Sequence, residues 1–223
     1  MELRYVDIFF QMVAFLFAIS VHESAHAWMA ARCGDPTAAM LGRVTLNPIK
    51  HIDPIGTVVL PAIALFTGLP LLGWAKPTPV NPRNFKDPVR DDILTSVAGP
   101  VSNAILVLFS VVILAVLGKV GGGQVVKALA QGYLVDAGAL TPLALMFYDL
   151  MLINVVLGIF NLIPVPPLDG SHVLRHFLGE NARAVYDRMG MIGLMVLVFF
   201  GGRFLSALIN PVIHFVNGIL LRV

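Results

Sequence analysis

His22-Glu23-Ser24-Ala25-His26 groups the residues of this sequence best suited to chemistry. Two histidines four apart on a helix project from one face, so both imidazoles can reach the same metal ion. The glutamate beside the first histidine is placed to polarise a water on that ion, as in a metal-dependent hydrolase. In a soluble helix the pattern would often be a chance match, or two histidines bonded to their neighbours. Here it lies in a hydrophobic helix, where an ionisable side chain is costly and marks a functional site.

Two histidines leave such a site incomplete, because catalytic zinc usually has three protein ligands and an open position for water. The candidates for the third are His51, His172, His176, His214, Asp149 and Asp169. Asp169 lies in Asn161-Leu162-Ile163-Pro164-Val165-Pro166-Pro167-Leu168-Asp169-Gly170. The prolines end the preceding helix, and the turn allows the carboxylate to point back into a bundle. The same run also reads as an ordinary surface turn.

The elements that carry these residues follow from composition. Of 223 residues, 57% are hydrophobic and 13% charged, about half the charged share of a soluble domain. Several stretches run for roughly 20 residues with hardly a charge, enough to cross a hydrocarbon core about 30 Å thick. Five apolar regions stand out, at 6–31, 54–73, 93–118, 140–163 and 189–221, the last broken at Gly201-Gly202-Arg203. The expected fold is an all-α polytopic membrane protein. It has a core of three transmembrane helices, a membrane-embedded re-entrant or extended segment and C-terminal helices, in a single domain over 1–223. Residues 171–188 are charged and amphipathic, which predicts a short helix at the membrane surface. The first apolar region is expected to be retained, because cleavage near residue 20 would destroy the His-Glu motif. A net charge of +2 without a basic block gives no nucleic-acid footprint. Cys33 is the single cysteine, which excludes an internal disulfide and a thiolate-rich metal site.

Charge placement sets the topology. Arg32, Arg43 and Lys50 precede the second apolar region, and Lys76, Arg83, Lys86 and Arg90 follow it, whereas the loop after the third region carries only Lys119 and Lys127. Under the positive-inside rule both flanks of the second region face the cytoplasm, so it must enter and return. Its run from Trp74 to Pro82, with alternate prolines, is extended. Irregular backbone at membrane depth requires surrounding protein or a water-filled cavity. With this return Asp169 arrives at the level of His22 and His26, on the cytoplasmic side. A single crossing would leave it on the opposite face.

Three motifs in this order carry a family resemblance: His22-Glu23-x-x-His26, Ala98-Gly99-Pro100-x-x-Asn103, and Asn161-x-x-Pro164-x-Pro166-Pro167-Leu168-Asp169-Gly170. Together they resemble the site-2 protease family of intramembrane zinc metalloproteases, in its short form without a PDZ domain. The resemblance runs from the first helix to about Leu174. It implies one Zn2+ per chain held by His22, His26 and Asp169, with Glu23 as general base and acid. It also implies a multi-pass location, in the cell membrane of a prokaryote, and a transmembrane protein substrate within the lipid bilayer. The loop between 118 and 140 leaves no room for the PDZ domain of longer members.

Asn103 and Asn161 suit either interhelical hydrogen bonding or contact with an extended substrate, whereas Asn154 reads as helix glue. Asn81 and the prolines around it suit pairing with a substrate strand. Asp149 is expected to be protonated or paired. His51, in the turn-rich Asn47–Pro54 stretch, is expected at the surface. Two alternatives to a protease remain at this stage: a membrane metal transporter, and a catalytically silent chaperone or adaptor of the same fold.

Overall fold

The computed structural model describes residues 2–61, 63, 73–136 and 138–222. Among them the regular structure is helical throughout, with no strand. α1 spans Glu2–Cys33 and α2 is a single turn at Thr37–Met40; α3 spans Pro88–Leu117, α4 Gly123–Ala130 and α5 Thr141–Leu162. α6 covers Asp169–Arg175, α7 Glu180–Phe200 and α8 Gly202–Leu220. Four stretches are long and apolar enough to cross a membrane: Arg4–Cys33, Pro88–Ala130, Thr141–Leu162 and Gly202–Leu220. This is an integral membrane protein of all-α polytopic architecture.

Local sequence explains the element ends. α1 stops at Gly34, whose φ of +110° is the left-handed conformation that closes a helix. α3 starts at Pro88 behind Asp87, whose carboxylate accepts from Arg90 N–H at 3.2 Å. α5 ends before Pro164, which cannot continue its hydrogen-bond ladder. Gly201 separates α7 from α8, as the Gly201-Gly202 break predicts.

α1, α3 and α5 pack side by side with alternating direction. His22 and His26 of α1 meet Asn103 and Thr95 of α3, and Asn103 in turn meets Asn154 of α5. Small residues allow the backbones to approach. Ala14, Ala18, Ala27 and Ala30 of α1 are buried, and a β-carbon on Gly158 of α5 would lie 3.3 Å from Cβ of Asn103. Larger apolar groups fill the other end of the bundle, where Leu114, Val126, Leu145, Met151 and Leu220 are buried together. Ile105, Leu108 and Phe109 of α3 are exposed, as lipid-facing positions should be.

The second apolar region is described only at its ends. Residues 62 and 64–72, including the expected Thr67-Gly68-Leu69-Pro70 turn, lie outside the described residues. Residues 54–59 form a wide helical turn. Trp74 N–H donates to Gly56 O at 3.2 Å, and Thr57 Oγ1 donates to Trp74 O at 2.8 Å. Further out, Lys86 N–H donates to Cys33 O at 3.2 Å. The two flanks of this region are therefore neighbours, and α3 starts beside the end of α1.

Two expectations change. Residues 171–188 do not form one surface helix: α6 ends at Arg175, and α7 begins at Glu180 and reaches Phe200 only across a kink at Gly190, whose φ is +42°. The helical period over 171–188 reflects two elements, separated by the turn before Gly179. His51 is fully buried rather than at the surface, with Nε2 2.8 Å from Thr45 O. The loop folds over it because Arg43, itself buried, donates to the carbonyls of Lys50, Lys76 and Pro77 and gathers the strands of loop around the ring.

Candidate active site

The helical spacing of four places His22 and His26 one above the other, with ring centroids 4.6 Å apart. Both rings are buried, and each is held through Nδ1. His22 Nδ1 lies 2.6 Å from Asn103 Oδ1, and His26 Nδ1 lies 2.7 Å from the Thr95 carbonyl. Acceptors at both Nδ1 positions require hydrogens there, which leaves lone pairs on the two Nε2 atoms. These face each other at 3.0 Å.

Asp169 completes the cluster. Its Oδ2 stands 3.3 Å from His22 Nε2 and 3.4 Å from His26 Nε2. It begins α6, delivered by the proline turn after α5. Gly170 is needed next, because a β-carbon there would fall 2.8 Å from Ile163 O as the turn packs against the end of α5. α6 is tied to α3 by Asp92, which accepts from His176 Nε2 at 2.7 Å and lies 3.6 Å from His172 Nδ1. The sequence offers His172 and His176 as metal ligands; the structure turns both toward this carboxylate.

The three converging atoms fit a tetrahedral divalent ion. Metal bonds of about 2.0–2.2 Å set neighbouring ligand atoms roughly 3.3 Å apart, and the observed separations run from 3.0 to 3.4 Å. Among the described residues these three form the one group of His, Cys, Asp or Glu spaced to hold a metal. Asp169 Oδ2 is buried without a hydrogen bond. Three electron-rich atoms pointing at one place repel each other unless a cation lies between them.

Glu23, beside His22 on α1, reaches the extended 73–81 stretch. Thr78 N–H donates to its Oε2 at 2.9 Å and Thr78 Oγ1 lies 2.7 Å from the same oxygen. Nothing in the sequence singles out Thr78, because its contact crosses from one loop to a distant helix. Asp35 anchors the far end of the stretch, accepting from Asn81 N–H at 2.7 Å and Asn84 Nδ2 at 2.8 Å.

The asparagines divide. Asn103 places its oxygen on His22 and its nitrogen on Asn154, so the whole amide is engaged inside the protein. Asn161 donates back to Leu157 O at 3.0 Å in its own helix. Asn81 is exposed, and its side chain caps the 82–84 turn by accepting from Arg83 N–H. Gly99 was legible only as part of a motif; its role is to give the imidazoles room, since a β-carbon would lie 2.5 Å from His22 Cε1.

Comparison with known proteins extends the likeness beyond the site. The family model of peptidase family M50 matches residues 10–202. Over 190 residues the chain is 38% identical to "Putative zinc metalloprotease YwhC" of Bacillus subtilis (strain 168), covering 85% of this chain and 78% of that one. It is 28% identical over 198 residues to "Putative zinc metalloprotease Rip2" of Mycolicibacterium smegmatis, covering 88% and 68%. A shorter match, 42% over 80 residues and 34% of each chain, is to "Protease RseP" of Photorhabdus luminescens. No solved structure matches the chain significantly. Because the matched span takes in all three motifs and most of the helical bundle, the chain belongs to peptidase family M50, the site-2 protease family.

Proposed function

We propose that this protein is a single-domain intramembrane zinc endopeptidase that cuts transmembrane protein substrates, with its active site toward the cytoplasmic side of a prokaryotic cell membrane. The observation that carries the reading is the convergence of His22 Nε2, His26 Nε2 and Asp169 Oδ2 within 3.4 Å of one another. These residues would hold one zinc ion, which would supply the Lewis acidity to activate water and to polarise the scissile carbonyl.

The protein residues divide the remaining work. Asn103 and the Thr95 carbonyl orient the two imidazoles. Glu23 takes the proton of the attacking water and delivers it to the leaving amine. Thr78 N–H donates to Oε2, and the Thr78 hydroxyl lies within reach of Oε2 and of the Glu23 carbonyl; among the described residues no hydrogen bond reaches Oε1, which leaves that oxygen for the proton. The extended 74–81 stretch runs past Glu23 and favours pairing with an unwound substrate segment. Asn161, at the C-terminal end of α5, and Asn81, exposed at the end of the 74–81 stretch, contact the substrate backbone through the amide atoms not used inside the protein.

The test is cleavage of a transmembrane peptide by the purified protein in detergent, with zinc content measured in parallel. Glu23→Gln should retain zinc and lose cleavage. Residual cleavage near the wild-type rate would overturn the assignment of Glu23. Zinc uptake into proteoliposomes without peptide cleavage would instead identify a transporter.

A further inference from the structure

Three hydrogen bonds run in line from the backbone of α5 to the first histidine of α1. Asn154 Nδ2 donates to Leu150 O at 2.7 Å, Asn103 Nδ2 donates to Asn154 Oδ1 at 2.7 Å, and His22 Nδ1 meets Asn103 Oδ1 at 2.6 Å. Asn103 is 0%, Asn154 1% and His22 5% exposed, so water cannot substitute for any link.

The order of donors is fixed from one end. A peptide carbonyl only accepts, so Asn154 must present its nitrogen to Leu150. Its oxygen is then left for Asn103, which must answer with nitrogen. The Asn103 oxygen is left in turn for His22, and an oxygen acceptor there requires the hydrogen on Nδ1. The lone pair of the neutral ring is thereby placed on Nε2, beside His26 Nε2 and Asp169 Oδ2. An amide that merely joined α3 to α5 could stand either way round. Reversing this one would set like against like at a buried link, and an unsatisfied buried group costs about 1–3 kcal/mol.

We infer that Asn154 and Asn103 form a relay that sets the tautomer of His22, so that a backbone carbonyl of α5 prepares the ring for metal before the metal arrives. Asn154 touches neither metal nor substrate; it is a positioning residue acting through Asn103. The inference rests on the metal site proposed above. His26 reaches the same state without a relay, because its Nδ1 meets the Thr95 carbonyl directly at 2.7 Å.

The experiment uses the full chain in detergent. The ¹⁵N signals of the neutral His22 ring, assigned by comparison with His22→Ala, are recorded in metal-free protein. Zinc affinity is measured by competition with a chelating dye. In the wild type the hydrogen should sit on Nδ1; a ring carrying it on Nε2 overturns the relay without recourse to any further variant. Asn154→Leu should give a mixture of tautomers and a 10–100-fold weaker zinc affinity, the range typical of lost outer partners. Asn103→Asp offers His22 an acceptor whatever stands at 154, so adding it to Asn154→Leu should restore both the Nδ1 signature and near wild-type affinity. A double variant as weak as Asn154→Leu overturns the relay. If His22→Ala binds zinc as tightly as the wild type, the metal site itself is wrong. If His22→Ala loses zinc while Asn154→Leu keeps full affinity and the Nδ1 signature, only the relay fails.

Discussion

Gly99 of α3 lies against the His22 ring so closely that a β-carbon at 99 would sit 2.5 Å from Cε1 and 2.7 Å from Cε1 of His26. Neither ring can retreat without breaking its Nδ1 hydrogen bond. Gly99→Ala should therefore abolish zinc binding while costing only about 1–3 kcal/mol of stability, as overpacking does. Zinc content and the thermal midpoint of the purified variant check this. Full zinc occupancy would mean that the rings tolerate displacement.

Removing metal should loosen the bundle where α1 meets α6, because three electron-rich atoms are then left facing one another. A chelator should lower the thermal midpoint, and added zinc should restore it in a concentration-dependent way. At about 1,000 times the dissociation constant the expected gain is roughly 4 kcal/mol. Equal loss in His26→Ala, with no further response to the chelator, ties the effect to this site.

Arg43 is buried and donates to three backbone carbonyls, at Lys50, Lys76 and Pro77. Arg43→Met keeps much of the length and removes every donor. A loss of about 2–5 kcal/mol is expected, since each carbonyl left unsatisfied costs about 1–3 kcal/mol and some will rehydrate. Because the Pro77 carbonyl leads into Thr78, peptide cleavage should fall further than zinc content. An unchanged ratio of the two would separate Arg43 from the placement of Thr78.

Burial alone would raise the Asp35 carboxyl, but the hydrogen bonds from Thr37, Asn81 and Asn84 outweigh it and hold the group below its ordinary value. A carboxyl lowered in the fold stabilises the protein above its unfolded value of about 3.9 and loses that contribution as pH falls through the folded value. Asp35→Asn should thus be less stable than wild type near pH 7, with the gap closing toward acid. Thermal midpoints of both proteins across the acid range decide it; a gap independent of pH would remove ionisation from the account.

The neighbouring flanks of the second apolar region predict a common side of the membrane for both. Single cysteines at Met40, 81% exposed, and at the exposed Arg83, each in a Cys33→Ser background, should react with an impermeant thiol reagent from the same side. Labelling from opposite sides would contradict the hydrogen bond between Lys86 and Cys33.

Much of this was legible along the chain because the bilayer imposes a simple rule: spanning segments must be long, apolar and helical. The four spanning stretches, the break at Gly201 and the pairing of His22 with His26 follow from that rule and from helical spacing. His51 misled for the opposite reason. A histidine among prolines and asparagines reads as surface, and only the distant Arg43, gathering carbonyls from two loops, buries it.

By itself the sequence determined the membrane character, the motifs and the charge asymmetry from which both flanks of the second region are expected on one side. These depend on residue type and on neighbours a turn or two away. The motifs and the expected return already pointed to Asp169 among six candidates; only the tertiary structure showed how closely it stands beside His22 and His26, why Gly99 must lack a side chain, and where Thr78, Asp92 and Asn154 act. Each of those rests on contacts between helices or loops far apart in the chain. Their distances are fixed by how closely small residues let the backbones approach, and no local pattern encodes that.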